Sequence, residues 1–408
     1  MAKIVIVGAG IVGLCCARSA LADGHLVTVV DPEPHGDKAS FGNAGGIAIT
    51  EIIPASTPAV FARLPGWLLD PLGPVAVRPQ HLVKLLPFLW RFARSSSQAE
   101  VSRITKVLAG LLASAAIDIG DLLTEMDLSH DLQRAGALWV YRNAAAFERD
   151  GPDRELRRSF GIVLDEMDGC AARALEPSLG PSVLRAVLAP QWSHLTDPRR
   201  LTVTLQKRLE ANGVNFERQR ALAVRRDILE CEYQHISFDH LVIAAGAWSG
   251  QLARSVGDRV LLESERGYNL TLPHPGIDVT RELIFAEDAF VATPMDMGLR
   301  IGGAAEFAGL DAPPDFRRSD ALARRARAYL PDLNLRGGAP WAGHRPATPD
   351  SLPVLGQSPR RSDVIYAFGH GHCGLTMAPT TGRLVADIIA GRPTSVDLSP
   401  CSISRFGA

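Results

Sequence analysis

A glycine-rich turn between a buried strand and a helix is the feature that most constrains the fold of this chain. Residues 3–7 are almost all apolar and β-branched without polar alternation, which predicts a strand buried on both faces. A G-x-G-x-x-G motif over residues 8–13 follows, and a second apolar strand over residues 26–30 ends at Asp31. Such a strand–turn–helix–strand–acid unit is typical of a doubly wound dinucleotide-binding domain.

Each part of this motif has a physical role in holding a diphosphate. Gly8 is expected to make the tight turn, Gly10 to let the backbone approach the pyrophosphate, and Gly13 to let helix and strand pack closely. The helix N-terminus adds N–H donors and partial positive charge, and Asp31 is placed to accept hydrogen bonds from ribose hydroxyls. The acid disfavours a 2′-phosphate but does not by itself identify the dinucleotide.

Three further segments rich in small residues favour an extended cofactor. Residues 39–46 form a loop soon after the acid, residues 238–249 form a buried strand that runs into small residues, and residues 369–376 precede a C-terminal helix. Small residues let the backbone pass close to a bound group. The second glycine-lined helix N-terminus would stabilise negative charge on a ring bound beside it.

The composition indicates a globular protein without a nucleic-acid footprint. Lys and Arg number 43 against 44 Asp and Glu, so the chain lacks the basic surplus that phosphate backbones need. The six cysteines form no Cys-x-x-Cys pair, and His370 and His372 have no ligand partners at recognisable spacing. We therefore expect neither disulfides nor a metal site.

The pattern along the rest of the chain predicts an α/β sheet domain interrupted by an α+β lobe. Residues 56–147 carry apolar side chains at helical spacing, and residues 261–305 alternate like antiparallel strands. We expect a discontinuous dinucleotide-binding domain formed by residues 1–55, 148–255 and 341–408. The substrate domain would then comprise residues 56–147 and 256–340.

The apolar segments of the chain bear on where in the cell we expect the protein. No basic segment with a cleavable apolar stretch precedes the first strand, so we expect a cytoplasmic protein. The longest strongly apolar run, residues 107–117, is shorter than the ~20 residues that cross a bilayer. Residues 85–92 favour either core packing or contact with a membrane or redox partner. A peripheral position at the inner face of the membrane is therefore the alternative.

Four sequence blocks, added to the N-terminal motif, resemble the D-amino-acid oxidase/dehydrogenase superfamily of flavoproteins. They are SFGNAGG at 40–46, RGYNLT at 266–271, GHRPATPD at 343–350 and GHCGLT at 371–376. The resemblance extends nearly end to end and is strongest to the bacterial FAD-dependent D-amino-acid dehydrogenases. It implies a Rossmann-type FAD-binding domain with an inserted α+β substrate domain, built of an antiparallel sheet plus helices.

The resemblance also implies that FAD is held non-covalently. Relatives with covalent flavin place a cysteine just before the tripeptide that contains the substrate arginine, and Gly343 stands there in this chain. The residues expected to bind FAD are Gly8, Gly10, Ile11, Val12, Gly13, Asp31, Ser40, Asn43, Ala44, Gly45, Gly46, Leu222, Ala245, Gly246, Gly343, Gly374, Leu375 and Thr376.

Three residues are the expected catalytic residues. The carboxylate is the constant part of an amino acid, and a guanidinium binds it through two parallel hydrogen bonds. The resemblance assigns this role to Arg345. Tyr268 would add a hydroxyl group to the site, and His344 would shape the pocket.

The implied reaction is oxidative deamination of a D-amino acid, or of a D-proline-like imino acid, to an imino acid and then a 2-oxo acid. A hydride would leave Cα for flavin N5, and the electrons would pass to a quinone or another carrier. Two alternatives remain open: a glycine/sarcosine-type amine oxidase that uses O2, and the flavin subunit of a multi-subunit dehydrogenase. Assembly into homo-oligomers or with partner subunits is open as well. An NAD-dependent enzyme would leave the 40–46 and 369–376 loops unexplained.

Overall fold

The computed structural model describes residues 1–407 as two large sheets with helices around them. The helices are α1 Ile11–Ala22, α2 Pro58–Leu69, α3 Pro79–Arg94, α4 Gln98–Leu112, α5 Ala115–Glu125, α6 Ala144–Arg149, α7 Gly151–Ser159, α8 Gly169–Leu175, α9 Pro198–Ala211, α10 Ser249–Val256, α11 Arg317–Ala326 and α12 Gly374–Ile389. The strands are β1 Lys3–Val7, β2 Leu26–Asp31, β3 Gly46–Ile47, β4 Val75–Val77, β5 Leu132–Gln133, β6 Ala137–Tyr141, β7 Asp165–Asp168, β8 Arg185–Ala189, β9 Ser193–Leu195, β10 Asn215–Arg218, β11 Ala221–Arg225, β12 Ile228–Cys231, β13 His235–Ser237, β14 His240–Ile243, β15 Glu263–Leu272, β16 Glu282–Phe285, β17 Phe290–Met295, β18 Gly298–Phe307, β19 Ala339–Ala347, β20 Val354–Gln357 and β21 Val364–Phe368.

The first large sheet grows from the N-terminal unit, in the order β10-β2-β1-β14-β21-β20. Its first five strands are parallel, and β20 runs antiparallel to β21. Side chains from α1, α9 and α12 bury one face, and the small β11–β13 sheet with α10 buries the other. The carboxyl ends of β1, β2 and β14 therefore meet at one edge, as in a Rossmann-type domain.

Close helix packing brings the two ends of the chain together. A Cβ added to Gly382 on α12 would lie 2.4 Å from the carbonyl oxygen of Cys15 on α1, so these helices touch backbone to backbone. The loop before α12 consequently lies near the N-terminal glycine turn. This contact explains how residues 369–376 reach the cofactor region that they were predicted to share.

The second large sheet has the order β19-β15-β18-β17-β16-β6-β8-β7, with β4 beside β18. It is mostly antiparallel, as the alternation over residues 261–305 predicted, and β17 and β18 form a hairpin within that stretch. Side chains of α11 pack on one face, while the other face looks toward the cavity described below. The α/β class with a separate, antiparallel-rich substrate region is confirmed.

Sheet membership differs from the predicted division of the chain in three places. β19, most of which lies within residues 341–408, belongs to the second sheet because it pairs with β15. β7 and β8, within residues 148–255, belong to the second sheet because β8 continues the antiparallel ladder from β6. Conversely, α4 and α5 pack against α12 beside the first sheet. Helical periodicity predicted those helices without indicating which sheet they cover.

The segment Gln98–Glu125 is long and apolar enough to cross a membrane, judged by length and composition only. In the fold it is divided into α4 and α5 at residues 113–114. Its inner apolar residues are buried in the main core, among them Ile104, Leu108, Ile119 and Leu122. The segment therefore packs as a pair of core helices.

Candidate active site

A cavity of about 1360 Å³ lies between the strand ends of the first sheet and the open face of the second. This exceeds the roughly 300–1,000 Å³ of an ordinary small-ligand pocket, as an extended cofactor with a substrate beside it requires. Most of the predicted cofactor residues line it: Gly8, Gly10, Ile11, Val12, Asp31, Ser40, Asn43, Ala44, Gly46, Ala245, Gly246, Gly343, Gly374 and Leu375.

The three motif glycines have different surroundings. A Cβ on Gly8, whose φ is +112°, would lie 2.4 Å from the Ala244 carbonyl oxygen, and one on Gly13 would lie 1.9 Å from the Gly8 carbonyl oxygen. A Cβ on Gly10 would meet only the Ser40 hydroxyl, at 3.8 Å. Gly8 and Gly13 are thus packed against protein, whereas Gly10 borders open cavity at the start of α1. The residues fit a dinucleotide diphosphate at this point.

Asp31 lies at the edge of the same cavity, with its carboxylate held in place. Oδ2 accepts a hydrogen bond from the Ala9 N–H at 2.9 Å, and Oδ1 pairs with Lys38 Nζ at 2.7 Å. Lys38 also lines the cavity and was not predicted. Its charge beside the glycine turn suits the anionic half of a dinucleotide.

Three predicted cofactor residues support the cavity wall rather than line it. Gly13 packs beneath the turn, and the N–H of Gly45, whose φ is +84°, donates a 2.7 Å hydrogen bond to Asn43 Oδ1. Thr376 Oγ1 accepts the Ala48 N–H at 3.0 Å and donates to the Gly46 carbonyl at 3.4 Å, which ties α12 to the end of the 40–46 loop. These contacts fix the loop against the helix N-terminus.

The prediction for Leu222 is corrected by the structure. Its side chain is exposed and does not line the cavity, whereas Arg220 and Ala221 do. The pairing register between β11 and β12 shifts between residues 221 and 223. Because of this irregularity, the alternation of side chains along β11 does not turn Leu222 toward the cavity.

Arg345 lies on the face of β19 that looks into the cavity. Its guanidinium lies directly over Gly267, where an added Cβ would be 2.5 Å from Cζ. Nη1 donates to Glu265 Oε1 at 2.6 Å and to the Ala304 carbonyl at 2.9 Å. Arg345 and Glu265 are half-buried and both line the cavity, so a cation and an anion stand side by side there.

Trp341 packs beside this pair, and the sequence did not single it out. Its indole ring occupies the space that a Cβ on Gly42 or on Gly343 would fill, at 2.3 Å and 2.0 Å respectively. Gly343 therefore makes room for the indole of its own strand. The ring forms a wall between the 40–46 loop and the charged pair.

The role predicted for Tyr268 is wrong in this structure. Successive strand residues point to opposite faces, and Gly267 faces the cavity, so the Tyr268 side chain points toward α11. Its hydroxyl donates to Glu306 Oε2 at 2.5 Å and accepts the Asp315 N–H at 3.0 Å. Burial, with the neighbouring Glu306, raises the pKa of Tyr268. The hydroxyl is a structural partner of that buried acid.

His344 borders the cavity but lies on the strand face opposite to Arg345. Its Nδ1 is 2.6 Å from the Ser264 hydroxyl, and its ring packs edge-on against Trp248 with centroids 5.2 Å apart. Burial and the nearby Arg266 lower the pKa of His344 to about 4, so the ring is neutral at neutral pH. It can shape the wall, as predicted, without carrying charge.

Glu282 is a second acid in the cavity that sequence reasoning missed. Its carboxylate packs against the 40–46 loop, because a Cβ on Gly46 would lie 2.6 Å from Oε2. The same oxygen accepts the Trp192 Nε1–H at 2.7 Å. Burial raises the pKa of Glu282 to about 8, and Glu51 acts in the same direction. No group of three metal-ligating side chains lies close together within residues 1–407.

Replacing Glu282 by glutamine is expected to change how stability depends on pH. The folded-state pKa of about 8 exceeds the ordinary 4.5, so Glu282's contribution is full below about pH 4.5 and is lost as pH rises through 8. Glutamine cannot ionise, and its amide oxygen can still accept from Trp192. We expect the free energy of unfolding of Glu282→Gln to rise relative to wild type by roughly 2–5 kcal/mol between pH 5 and 9.

Urea unfolding at pH 5, 7 and 9 measures this difference. The surface change Asp332→Asn is the control, and its difference from wild type should stay constant. A Glu282→Gln difference that also stays constant with pH would show that the carboxyl group ionises normally in the fold.

The glycine turn, the anchored acid and the second helix N-terminus together fit the dinucleotide of a flavin-dependent oxidoreductase. The chain belongs to the FAD dependent oxidoreductase (DAO) family, whose profile matches residues 3–388. It is therefore an enzyme that uses FAD.

Curated relatives match over nearly the whole chain. A protein named D-amino-acid oxidase from Bradyrhizobium diazoefficiens is 34% identical, covering 99% of this chain and 98% of the relative. A D-amino acid dehydrogenase from Paramagnetospirillum magneticum is 32% identical, covering 99% of both. Among solved structures, glycine oxidase from Geobacillus kaustophilus superposes with a TM-score of 0.76 at 21% identity, covering 99% of each chain. That likeness confirms the fold.

Proposed function

We propose that the enzyme oxidises D-amino acids, with D-proline-like imino acids as further candidates, to imino acids that hydrolyse to 2-oxo acids. The Arg345–Glu265 pair facing the cavity carries this proposal. An amino acid presents a carboxylate and an amine on one carbon, and this pair offers a partner of opposite charge to each. The names of the 34% and 32% identical relatives support the D configuration.

The chain's own residues supply binding and orientation in this reaction. Arg345 binds the substrate carboxylate, Glu265 accepts a hydrogen bond from the amine, and Trp341 closes the side of the site toward the cofactor loop. FAD, when bound, supplies the two-electron acceptor. Holding Cα–H in one pose is the main contribution that such a rigid frame makes to the rate.

We also propose that FAD is held non-covalently and that the electrons leave to a quinone. Gly343 stands where, by the resemblance, relatives with covalent flavin carry a cysteine. Apolar side chains such as Leu64, Trp67 and Phe92 line the cavity, and they suit an apolar acceptor.

Anaerobic bleaching of the flavin by amino acids tests the proposal. We expect D-alanine, D-phenylalanine or D-proline to bleach the purified enzyme, whereas their L-enantiomers leave it yellow. The reduced enzyme should then be reoxidised faster by a short-chain quinone than by air.

The open alternatives predict other outcomes of the same experiment. Bleaching by glycine or sarcosine with stoichiometric hydrogen peroxide under air would establish the amine oxidase. Yellow protein that no amino acid bleaches would establish a flavin subunit that needs partners.

A further inference from the structure

Helix α3 carries apolar side chains on two opposite faces. Its inner face is fully used, since Leu85 and Phe88 are buried against the second sheet. Its outer face, at spacings of three and four residues, consists of Leu82, Val83, Leu86 and Trp90, which are 44%, 75%, 53% and 62% exposed. Core packing explains the first face and leaves the second without a partner within the described chain.

Two leucines at the end of α2 are exposed as well, and one of them, Leu68, lines the same cavity as Leu82 of α3. Leu68 is 47% exposed and Leu69 is 85% exposed. We call the outer face of α3 together with these two leucines the α2–α3 plate. Soluble monomers seldom expose a run of large apolar side chains on one surface, and such surfaces mark interaction sites.

The charge around the plate is cationic. Between residues 52 and 99 the only acid is Asp70, which pairs with Arg325. Of the cations in this stretch, Arg63 pairs with Asp150 and Arg78 pairs with Glu306. The other three, Lys84, Arg91 and Arg94, form no ion pair within the described residues. Lys84 and Arg94 are exposed beside the plate, and the Arg94 guanidinium lies 5.6 Å from the Trp90 ring centre. A cationic face repels a second copy of itself, whereas it is complementary to anionic lipid headgroups.

The plate also borders an opening of the active-site cavity. Leu68 and Leu82, which are exposed at the plate, line the cavity as well, together with Leu64 and Phe92. A surface that covers the plate would therefore also lie over this opening of the cavity. α3 has 16 residues, or about 24 Å, which is too short to cross a bilayer but suits a helix lying in its plane.

We propose that the α2–α3 plate docks the enzyme on an anionic lipid bilayer, with α3 lying in the interface and the cavity mouth turned toward the lipid. Trp90 sits at headgroup level, where indole rings concentrate, and Lys84 and Arg94 contact lipid phosphates. Resting on the proposed function, this orientation turns the cavity whose residues would hold FAD toward the lipid. Bound reduced FAD would supply the two electrons and two protons that convert a membrane-dissolved quinone to a quinol.

Co-sedimentation of the FAD-loaded enzyme with vesicles tests the docking. We expect binding to phosphatidylglycerol/phosphatidylethanolamine vesicles, weak binding to phosphatidylcholine vesicles, and release of most of the protein in 1 M NaCl, which screens the cations. The variant Val83→Asp/Trp90→Asp should lower the partition coefficient at least about tenfold. Tyr233→Asp, at a side chain 77% exposed elsewhere, should not change it.

Further variants give the outcomes that would overturn the proposal. Ile117 lies on the exposed side of α5. If Ile117→Asp loses vesicle binding and Val83→Asp/Trp90→Asp does not, the lipid contact lies on α4–α5 instead of the plate. Equal vesicle binding by wild type and plate variant would exclude the plate. A wild-type dimer that becomes monomeric on Trp90→Asp, without vesicle binding, would make a second copy the partner. Bleaching by D-alanine is measured in parallel without lipid, so a failure of docking is distinguishable from a failure of the proposed function.

Discussion

Replacing Arg345 by methionine is expected to lower kcat/KM for D-amino acids by about 10²–10³-fold. The guanidinium is the cation that faces the cavity over Gly267, and methionine keeps its length without its charge or donors. Truncating one partner of a buried charge-assisted pair costs about 2–5 kcal/mol, and here the substrate carboxylate would be left unpaired beside Glu265. Stopped-flow reduction of the flavin under anaerobic conditions measures the effect.

Matched variants separate this role from a general loss of structure. Arg345→Lys keeps the charge but not the planar fork, so it should recover only part of the lost activity. Glu265→Gln keeps the shape of the side chain and should weaken its contact with the substrate amine. Carboxylate inhibitors that lack an amine should bind this variant as tightly as they bind wild type, or more tightly. All three variants should retain FAD, and full reduction kinetics in Arg345→Met would show that the carboxylate binds elsewhere.

Gly267→Ala tests the same contact without touching the charge. The new Cβ would lie 2.5 Å from the Arg345 Cζ, so the guanidinium must move. We expect KM to rise by a larger factor than kcat falls. The variant keeps the charge of Arg345, but the guanidinium is displaced from the position in which it binds the substrate carboxylate. An unchanged KM would mean that the guanidinium has room to shift without losing the substrate.

The parts of the site that the sequence predicted depend on local geometry. The turn at Gly8, the close packing at Gly13 and the acid after β2 all follow from one strand–turn–helix unit, in which spacing alone fixes the positions. The same holds for the α12 loop, whose glycines open a helix. Such features are readable without knowledge of the tertiary fold.

The parts that the sequence did not reveal depend on how strands pair. Glu265 reaches Arg345 only because β15 and β19 pair in that register, and Glu282 faces the cavity only because β16 lies beside β6. Tyr268 was misassigned because the phase of β15 decides which face each residue takes, and a shift of one residue reverses it. Register between distant strands is not encoded in a local pattern.

Changing Gly13 to alanine is expected to lower the stability of the apoprotein, whereas changing Gly10 to alanine is expected to weaken FAD binding. A Cβ on Gly13 would lie 1.9 Å from the Gly8 carbonyl oxygen, so α1 must move away from β1, and we expect a loss of about 3 kcal/mol or more in the stability of the apoprotein. A Cβ on Gly10 meets only the Ser40 hydroxyl at 3.8 Å. The Gly10→Ala apoprotein should therefore stay within about 1 kcal/mol of wild type.

FAD affinity should then separate the two glycines. The Cβ of Gly10→Ala enters the space left for the diphosphate, so we expect the Kd for FAD to rise at least about tenfold in a protein that still folds. Urea unfolding of the apoprotein and quenching of FAD fluorescence measure the two quantities. Gly120→Ala, on an open stretch of α5, is the control and should be neutral or stabilising by up to about 1 kcal/mol, with FAD affinity unchanged. Normal FAD binding by Gly10→Ala would place the diphosphate away from the start of α1, because no other group competes for that space.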